Sequence, residues 1–235
     1  MPAYTFYYDG PIEVGQTFSL NRDESHHALH VMRLKIADTF MVINGAGTWA
    51  QSRIISSKPL CEGQVESIIK YEPKNSITLS IAQGLTALNK ADLIVEKLTE
   101  LGADEIIFFA GDKSSRQILN EHQLQKLKVK SIGALKQCGR LYLPKILWLN
   151  RLEDLQLNSQ ILTMSLELTA KSLNSISPIS TTAIIGPEAG LSDQELIWLQ
   201  AHHAQPISLH QHILRSETAS IVTCAFLNQI LSSPR

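Results

Sequence analysis

Apolar and polar side chains change their period once along this chain, near residue 72, and that change divides it. Before that point the apolar residues fall in short runs at 4–8, 17–20, 38–44, 48–56 and 61–71. The pairs Asp9-Gly10, Asn44-Gly45 and Glu62-Gly63 punctuate them as turns, the pattern of a small β-barrel. One helix interrupts the strands, over 24–32, opened by Asp23 and carrying His26, His27 and His30. The segment Glu72-Pro73-Lys74-Asn75 is short and polar and reads as a linker.

Beyond it strands alternate with helices. A strand over 77–83 precedes an amphipathic helix over 90–101, with Leu93, Ile94, Lys97, Leu98 and Leu101 at helical spacing and Gly102 placed to end it. A buried strand over 105–110, a basic helix over 121–138 and a strand over 145–149 follow. Strands at 160–166, 182–185 and 206–209 and helices at 192–203 and 216–231 complete the series. Ser192-Asp193-Gln194-Glu195 has the spacing of a capping box. Residues 172–182, rich in Ser and Thr, read as a mobile loop. Such alternation predicts an α/β domain with a mostly parallel sheet covered on both faces. The expected division is residues 1–73, a barrel, and residues 74–235, the α/β domain.

Composition adds little to that picture, and charge adds more. At 235 residues with 44% apolar and 18% charged side chains the chain is an ordinary globular protein with a sizeable core. No apolar run approaches the roughly 20 residues that span a bilayer. The start, Met1-Pro2-Ala3-Tyr4-Thr5, has no basic region followed by an apolar one. Cys61, Cys138 and Cys224 show neither metal-ligand nor disulfide spacing, so a cytoplasmic setting is expected. The net charge of −1 excludes an indiscriminate nucleic-acid binder, but it conceals a gradient. Residues 113–145 hold eight basic residues against the single acid Glu121, while residues 151–235 hold four basic and seven acidic. A local basic face of that size is suited to phosphates; a solvated helix face is the alternative.

The candidate chemistry gathers in two loops near the end. Gly186-Pro187-Glu188-Ala189-Gly190 follows one strand, and His210-Gln211-His212-Ile213-Leu214-Arg215-Ser216-Glu217 follows another, each leading into a helix. Ligand sites of α/β sheets lie where strands end and helices begin, so both loops are expected to face one pocket. Nucleotide-phosphate, hydrolase and metalloprotease signatures are missing. His26 and His30 share a helix face without an acidic or Cys partner at ligand spacing, which favours packing or phosphate contacts over metal. His202 and His203 suit a helix end. Glu96 fits a surface ion pair, whereas Lys97 and Glu100, just before a helix end, are candidates for a site. Arg140, in Gln137-Cys138-Gly139-Arg140, suits phosphate or ribose, or a helix cap.

Six segments in register resemble one family. They are His27 with Val31-Met32-Arg33-Leu34, Asn44-Gly45-Ala46-Gly47, Lys97-Leu98-Thr99-Glu100-Leu101-Gly102, Gln137-Cys138-Gly139-Arg140, Gly186-Pro187-Glu188-Ala189-Gly190, and Ile213-Leu214-Arg215-Ser216-Glu217-Thr218-Ala219. Together they resemble the RsmE methyltransferases, which methylate N3 of a uridine in 16S ribosomal RNA with S-adenosyl-L-methionine. The resemblance implies an N-terminal PUA-like β-barrel that binds RNA and a C-terminal SPOUT-type domain with a trefoil knot, a known exception to unknotted topology. It also implies a homodimer, acting on 16S rRNA within the small ribosomal subunit.

On that resemblance, Leu166, Glu167, Ile185, Gly186, Pro187, Glu188, Gly190, Leu209, His210, His212, Ile213 and Leu214 are expected to hold the cofactor. Arg33, Arg116 and Arg140 are expected on RNA. Arg215 is the expected stabiliser of a uracil anion, with Glu217 orienting it or the base; no metal is expected. Ala189, His210, His212 and Leu168 stand where the family shows glycine, glycine, arginine and proline. Two rivals remain: an RNA-binding assembly factor that has lost activity, and a SPOUT enzyme directed at a ribose hydroxyl or guanine N1.

Overall fold

The computed structural model describes residues 4–72, 77–115, 118–157, 159–164, 171–172, 176–209 and 211–232. They divide into two compact units, Met1–Lys74 with Leu135–Leu143, and Asn75–Ala134 with Pro144–Arg235.

In the first unit, β1 (Thr5–Tyr7), β2 (Thr17–Ser19), β3 (Thr39–Ile43), β4 (Thr48–Ser56) and β5 (Glu62–Lys70) form one sheet in the order β1-β3-β4-β5-β2. Along β4 buried and outward positions alternate, and the inward set, Ala50 and Ile54, joins Phe6, Phe18, Phe40, Val42 and Val65 in the core. The β4–β5 register shifts at Gln51/Ser52 and again at Ile54/Ser56. Each such bulge bends the strand, so the sheet curls around its aromatic core.

The expected helix over 24–32 is corrected. It begins earlier, as α1 (Arg22–His26), because Asn21 rather than Asp23 is the cap, its side chain accepting from Glu24 N at 2.9 Å. It then widens into a π-helical turn, His27–Val31, after which Arg33 takes a positive φ of 57°. The boundary also differs from a single cut at residue 73. Leu135–Leu143 returns to this unit: Gly47 N donates to Leu141 O and Leu143 N to Gly45 O. Gly47 has φ +85°, and a Cβ there would strike the Tyr142 ring and the Tyr71 carbonyl. Here glycine is required by both conformation and space.

Among the described residues the second unit holds seven parallel strands in the order β10-β12-β9-β11-β6-β7-β8. They are β6 (Leu79–Gly84), β7 (Glu105–Phe109), β8 (Lys145–Leu149), β9 (Gln160–Met164), β10 (Lys171–Ser172), β11 (Thr181–Ile185) and β12 (Gln205–Ser208). Both faces are covered, so β7 is an unbroken apolar run after Glu105. Ile106 and Phe108 enter one core with Leu98 and Leu227, while Ile107 and Phe109 enter the other with Leu199. The helices are α2 (Leu88–Glu100), α3 (Glu121–Cys138), α4 (Asp193–Ala201) and α5 (Ser216–Ser232).

Local signals set their ends. Ser192 and Glu195 form the expected capping box at α4. Gly102, at φ +92°, closes α2 in a Schellman motif, with Ala103 N on Leu98 O and Gly102 N on Thr99 O. His203 takes the equivalent left-handed position after α4, with φ 58° and Ala204 N on Leu199 O. Its role there is conformational rather than a dipole contact. His202 stacks on Trp198 at 4.4 Å between ring centroids.

From β12, near the sheet edge, the chain crosses back over the ends of β9 and β11, and α5 packs on β6, β11 and α2. This crossing belongs to the SPOUT-type trefoil-knot fold. Other parts of the path fall on residues 165–170 and 173–175, outside the described residues. The expected loop over 172–182 lies partly there too; of its remainder, Thr181 and Thr182 are strand residues of β11.

Candidate functional site

The carboxyl ends of β9, β11 and β12 open into a cleft of about 1140 Å³. That volume is slightly above the roughly 300–1,000 Å³ of small-molecule sites, ample for a nucleoside-sized ligand. After β11 the chain turns at once: Gly190 N donates to Pro187 O at 2.9 Å, and Gly190 has φ +76°. The turn is tight enough that a Cβ on Gly186 would lie 2.9 Å from Gly190 C and Leu191 N. Ala189 is not among the positive-φ residues, so its methyl group is tolerated where the family pattern has glycine. The turn leaves a cradle bordered by main chain and by the apolar side chains of Met164, Ile185, Leu199 and Leu209. Such a lining suits a flat, partly apolar heterocycle read by backbone groups.

One buried amide ties the two loops together. Gln83, at the end of β6 and wholly buried, donates from Nε2 to Gly84 O at 2.7 Å, to Ser216 Oγ at 2.7 Å and to Gly186 O at 3.2 Å. Ser220 donates to Gln83 Oε1, and Ser216 Oγ donates to Gly186 O at 2.6 Å. The start of α5 is thereby fixed to the first loop through a fully paired polar network.

Charge is organised around Lys90 of α2. Its Nζ lies 3.2 Å from Glu188 Oε1 and 3.4 Å from Glu217 Oε2. The hydrogen bond to Glu188 is the main cause holding the Lys90 ammonium above its ordinary value. Burial pushes the Glu188 carboxyl up, but its own backbone N–H, Lys90 and the Ala87 N–H together hold it below the usual range. Glu217 is nine-tenths buried. Arg215 and His212 are exposed on the cleft wall.

The cleft therefore brings together Ile185, Gly186, Pro187, Glu188, Gly190, Leu209, His212, Ile213, Leu214 and Arg215 of the residues expected from sequence. Leu166, Glu167, His210 and Arg116 lie outside the described residues. Glu217 pairs with Lys90, not with Arg215 as one expected role required. Arg33 is exposed in the first unit, and Arg140, half-buried, belongs to the same unit. His26 and His30 stack on each other at 4.9 Å, and His27 packs on Phe6.

Lys97 and Glu100 are corrected: neither lines the cleft. Lys97 Nζ sits 2.8 Å from Glu96 Oε1 and 2.9 Å from Glu100 Oε1, which raises the lysine to about 12, and Lys130 joins from α3. Hydrogen bonds from Lys130 and then Lys97 lower Glu96 to about 2. The basic segment is also less free than its composition suggests, since Lys130 pairs with Glu96, Lys136 with Glu24 and Lys145 with Glu105. Sequence reading missed Gln83 and Lys90. The first carried a signal, a lone amide in an apolar strand. The second carried none, its partner Glu188 being 98 residues away.

The model of an RNA methyltransferase domain matches residues 73–228, and that of an RNA methyltransferase PUA domain matches residues 20–66. Ribosomal RNA small subunit methyltransferase E of Rickettsia conorii is 30% identical, over 85% of this chain and 84% of the relative. Its counterpart in Buchnera aphidicola is 28% identical over 94% of this chain and 91% of its own length. Among solved structures, a predicted RNA methyltransferase from Thermotoga maritima superposes with a TM-score of 0.76 at 28% identity, covering 96% of this chain and 97% of that one. The methyltransferase E of Neisseria gonorrhoeae, bound to S-adenosyl methionine, shares the fold with a TM-score of 0.81 at 22% identity, over 96% and 95% of the two chains. The family match spans well over half of the chain, and by it the protein belongs to the ribosomal RNA small subunit methyltransferase E family of RNA methyltransferases.

Proposed function

We propose that this protein methylates N3 of a uridine in 16S ribosomal RNA with S-adenosyl-L-methionine, working in the cytoplasm as a homodimer on the small ribosomal subunit. The observation that carries the reading is the cleft itself. In a chain of this family, a glycine-turned, main-chain-lined cradle lies beside an exposed arginine and a buried carboxylate at the start of one helix. No helix among the described residues is long and apolar enough to cross a membrane.

S-adenosyl-L-methionine supplies, when bound, a methyl group made electrophilic by its sulfonium. Gly186, Pro187, Glu188 and Gly190 of the first loop, with Ile185, Leu209, His212, Ile213 and Leu214, would hold it; Leu166, Glu167 and His210 complete the proposed set. The protein's part is to position the uracil and to favour its N3 anion, because N3 is a poor nucleophile until its proton leaves. Arg215 stabilises the charge that then spreads to the ring oxygens. Glu217, 3.4 Å from Lys90 Nζ, orients the base. The uridine must be unstacked for N3 to be reached.

The test is direct. Calorimetry should give one cofactor per protomer at about micromolar affinity, on the order of −8 kcal/mol. Mass-spectrometric mapping of 16S rRNA from a strain lacking the gene should show one uridine without its N3 methyl group, restored by the intact gene. An unmodified methylation map, or no binding at millimolar cofactor, favours the inactive assembly factor.

Arginines of the curled-sheet unit and of the basic segment are the proposed contacts to RNA. Arg33→Ala, Arg116→Ala and Arg140→Ala should each weaken RNA binding and flatten its salt dependence while leaving cofactor affinity intact. Full RNA affinity in all three at low salt would place that face elsewhere.

A further inference from the structure

We propose that Lys90 is a positioning residue of the cofactor site, an electrostatic clasp that holds the first loop against the first turn of α5. The proposal rests on the methyltransferase reading for its ligand but on geometry for its mechanism. Two carboxylates from distant segments, Glu188 in the loop and Glu217 in the helix, converge on one ammonium at 3.2 and 3.4 Å. Both segments border the cleft, and Lys90 itself lines it.

The three groups differ in what they can do without one another. Lys90 and Glu188 keep 29% and 37% of their side chains exposed and could return to water; Glu217 keeps 12% and could not do so without moving. Removing the ammonium would therefore leave a buried carboxylate facing a like charge across the gap between loop and helix. The least costly relief is for residues 188–190 to swing away, since the helix is anchored through Ser216 and Ser220 to Gln83 and the loop is tethered in that network only at Gly186. The clasp thus keeps the cradle formed before a ligand arrives, and preorganisation of this kind is read as affinity. Arg215 and His212 stand on the same cleft wall and do not replace Lys90, because Glu217 is already turned to α2.

The experiment compares Lys90→Met, Lys90→Arg, Glu188→Gln and the double variant Lys90→Met/Glu188→Gln in the full-length protein. Lys90→Met should raise the Kd and KM for S-adenosyl-L-methionine about tenfold, with kcat at saturation within about twofold. Lys90→Arg, which keeps charge and donors, should restore both constants. In the Glu188→Gln background the same Lys90→Met change should cost at most about threefold, because the repulsion is gone. Without any cofactor, amide hydrogen exchange at residues 188–190 should quicken about tenfold in Lys90→Met and stay unchanged in β7.

Equal losses in both backgrounds, no rescue by arginine, or unchanged exchange in the loop would each overturn the clasp. Faster loop exchange in a protein whose wild type binds no S-adenosyl-L-methionine would uphold the clasp and sink the methyltransferase reading instead.

Discussion

Arg215→Ala protein is expected to bind S-adenosyl-L-methionine and rRNA about as tightly as the wild type, yet to methylate roughly a hundredfold more slowly or worse in a single turnover. The side chain precedes α5, is exposed and lines the cleft, where a guanidinium can meet a base presented from solvent. The competing structural role, pairing with Glu217, is taken by Lys90. Lys90 in turn is held between two carboxylates, so its charge is largely spent on them. Among the described residues of the cleft, Arg215 is therefore the one proposed to face the developing uracil anion. Arg215→Lys keeps the charge but loses the planar fork and should fall between wild type and Arg215→Ala. A near-normal single-turnover rate in folded Arg215→Ala protein would show that the anion is stabilised elsewhere.

Much of the fold was legible because its signals are local. The period of the apolar residues placed α3 and β8 at their observed bounds, and Ser192 with Glu195 announced the cap that the structure contains. Gly102 announced the end of α2 in the same way. Two misses were local: the cap at Asn21, three residues before Glu24, and the π-helical turn after His26 were overlooked because residues 24–32 read as one regular helix opened by Asp23. The other misses depend on partners far apart in sequence. The return of Leu135–Leu143 to the first unit is written in Gly45 and Gly47, whose need for glycine shows only once Leu143 and Tyr142 lie against them. The basic segment illustrates the opposite error. Its composition is real, but Lys130, Lys136 and Lys145 meet acids from other elements, and counting charges cannot see that. In the cleft, the loop residues were legible from their strand-end positions, whereas the groups that hold the loops, Gln83 and Lys90, lie on other elements.

Gln83→Leu should be the most destabilising of these changes, by about 3 kcal/mol, lowering Tm by about 6–12 °C in a chain of this size. The leucine fits the space of the amide but returns none of its bonds. Ser220 loses the acceptor of its hydroxyl, and the Gly84 carbonyl loses a donor at 2.7 Å. Ser216 keeps its bond to Gly186 O, so the loop remains tethered at one point and the loss stays short of complete unfolding. Cofactor affinity should fall with stability, since the same amide carries both loops. Gln83→Glu separates loss of hydrogen bonds from loss of packing. An ionised carboxylate there would keep the Ser220 hydroxyl as a donor but would face Gly84 O, Gly186 O and Ser216 Oγ, which accept from the native amide, so burial and these acceptors raise its folded pKa above the unfolded value. Its stability is then fully present below the ordinary carboxylate range and is lost as pH rises through the raised folded pKa. Gln83→Leu, with no group to titrate, should show a deficit that does not follow pH in this way. A Tm for Gln83→Leu within about 2 °C of wild type, or parallel pH profiles for the two variants, would mean that the amide network does not hold the loops.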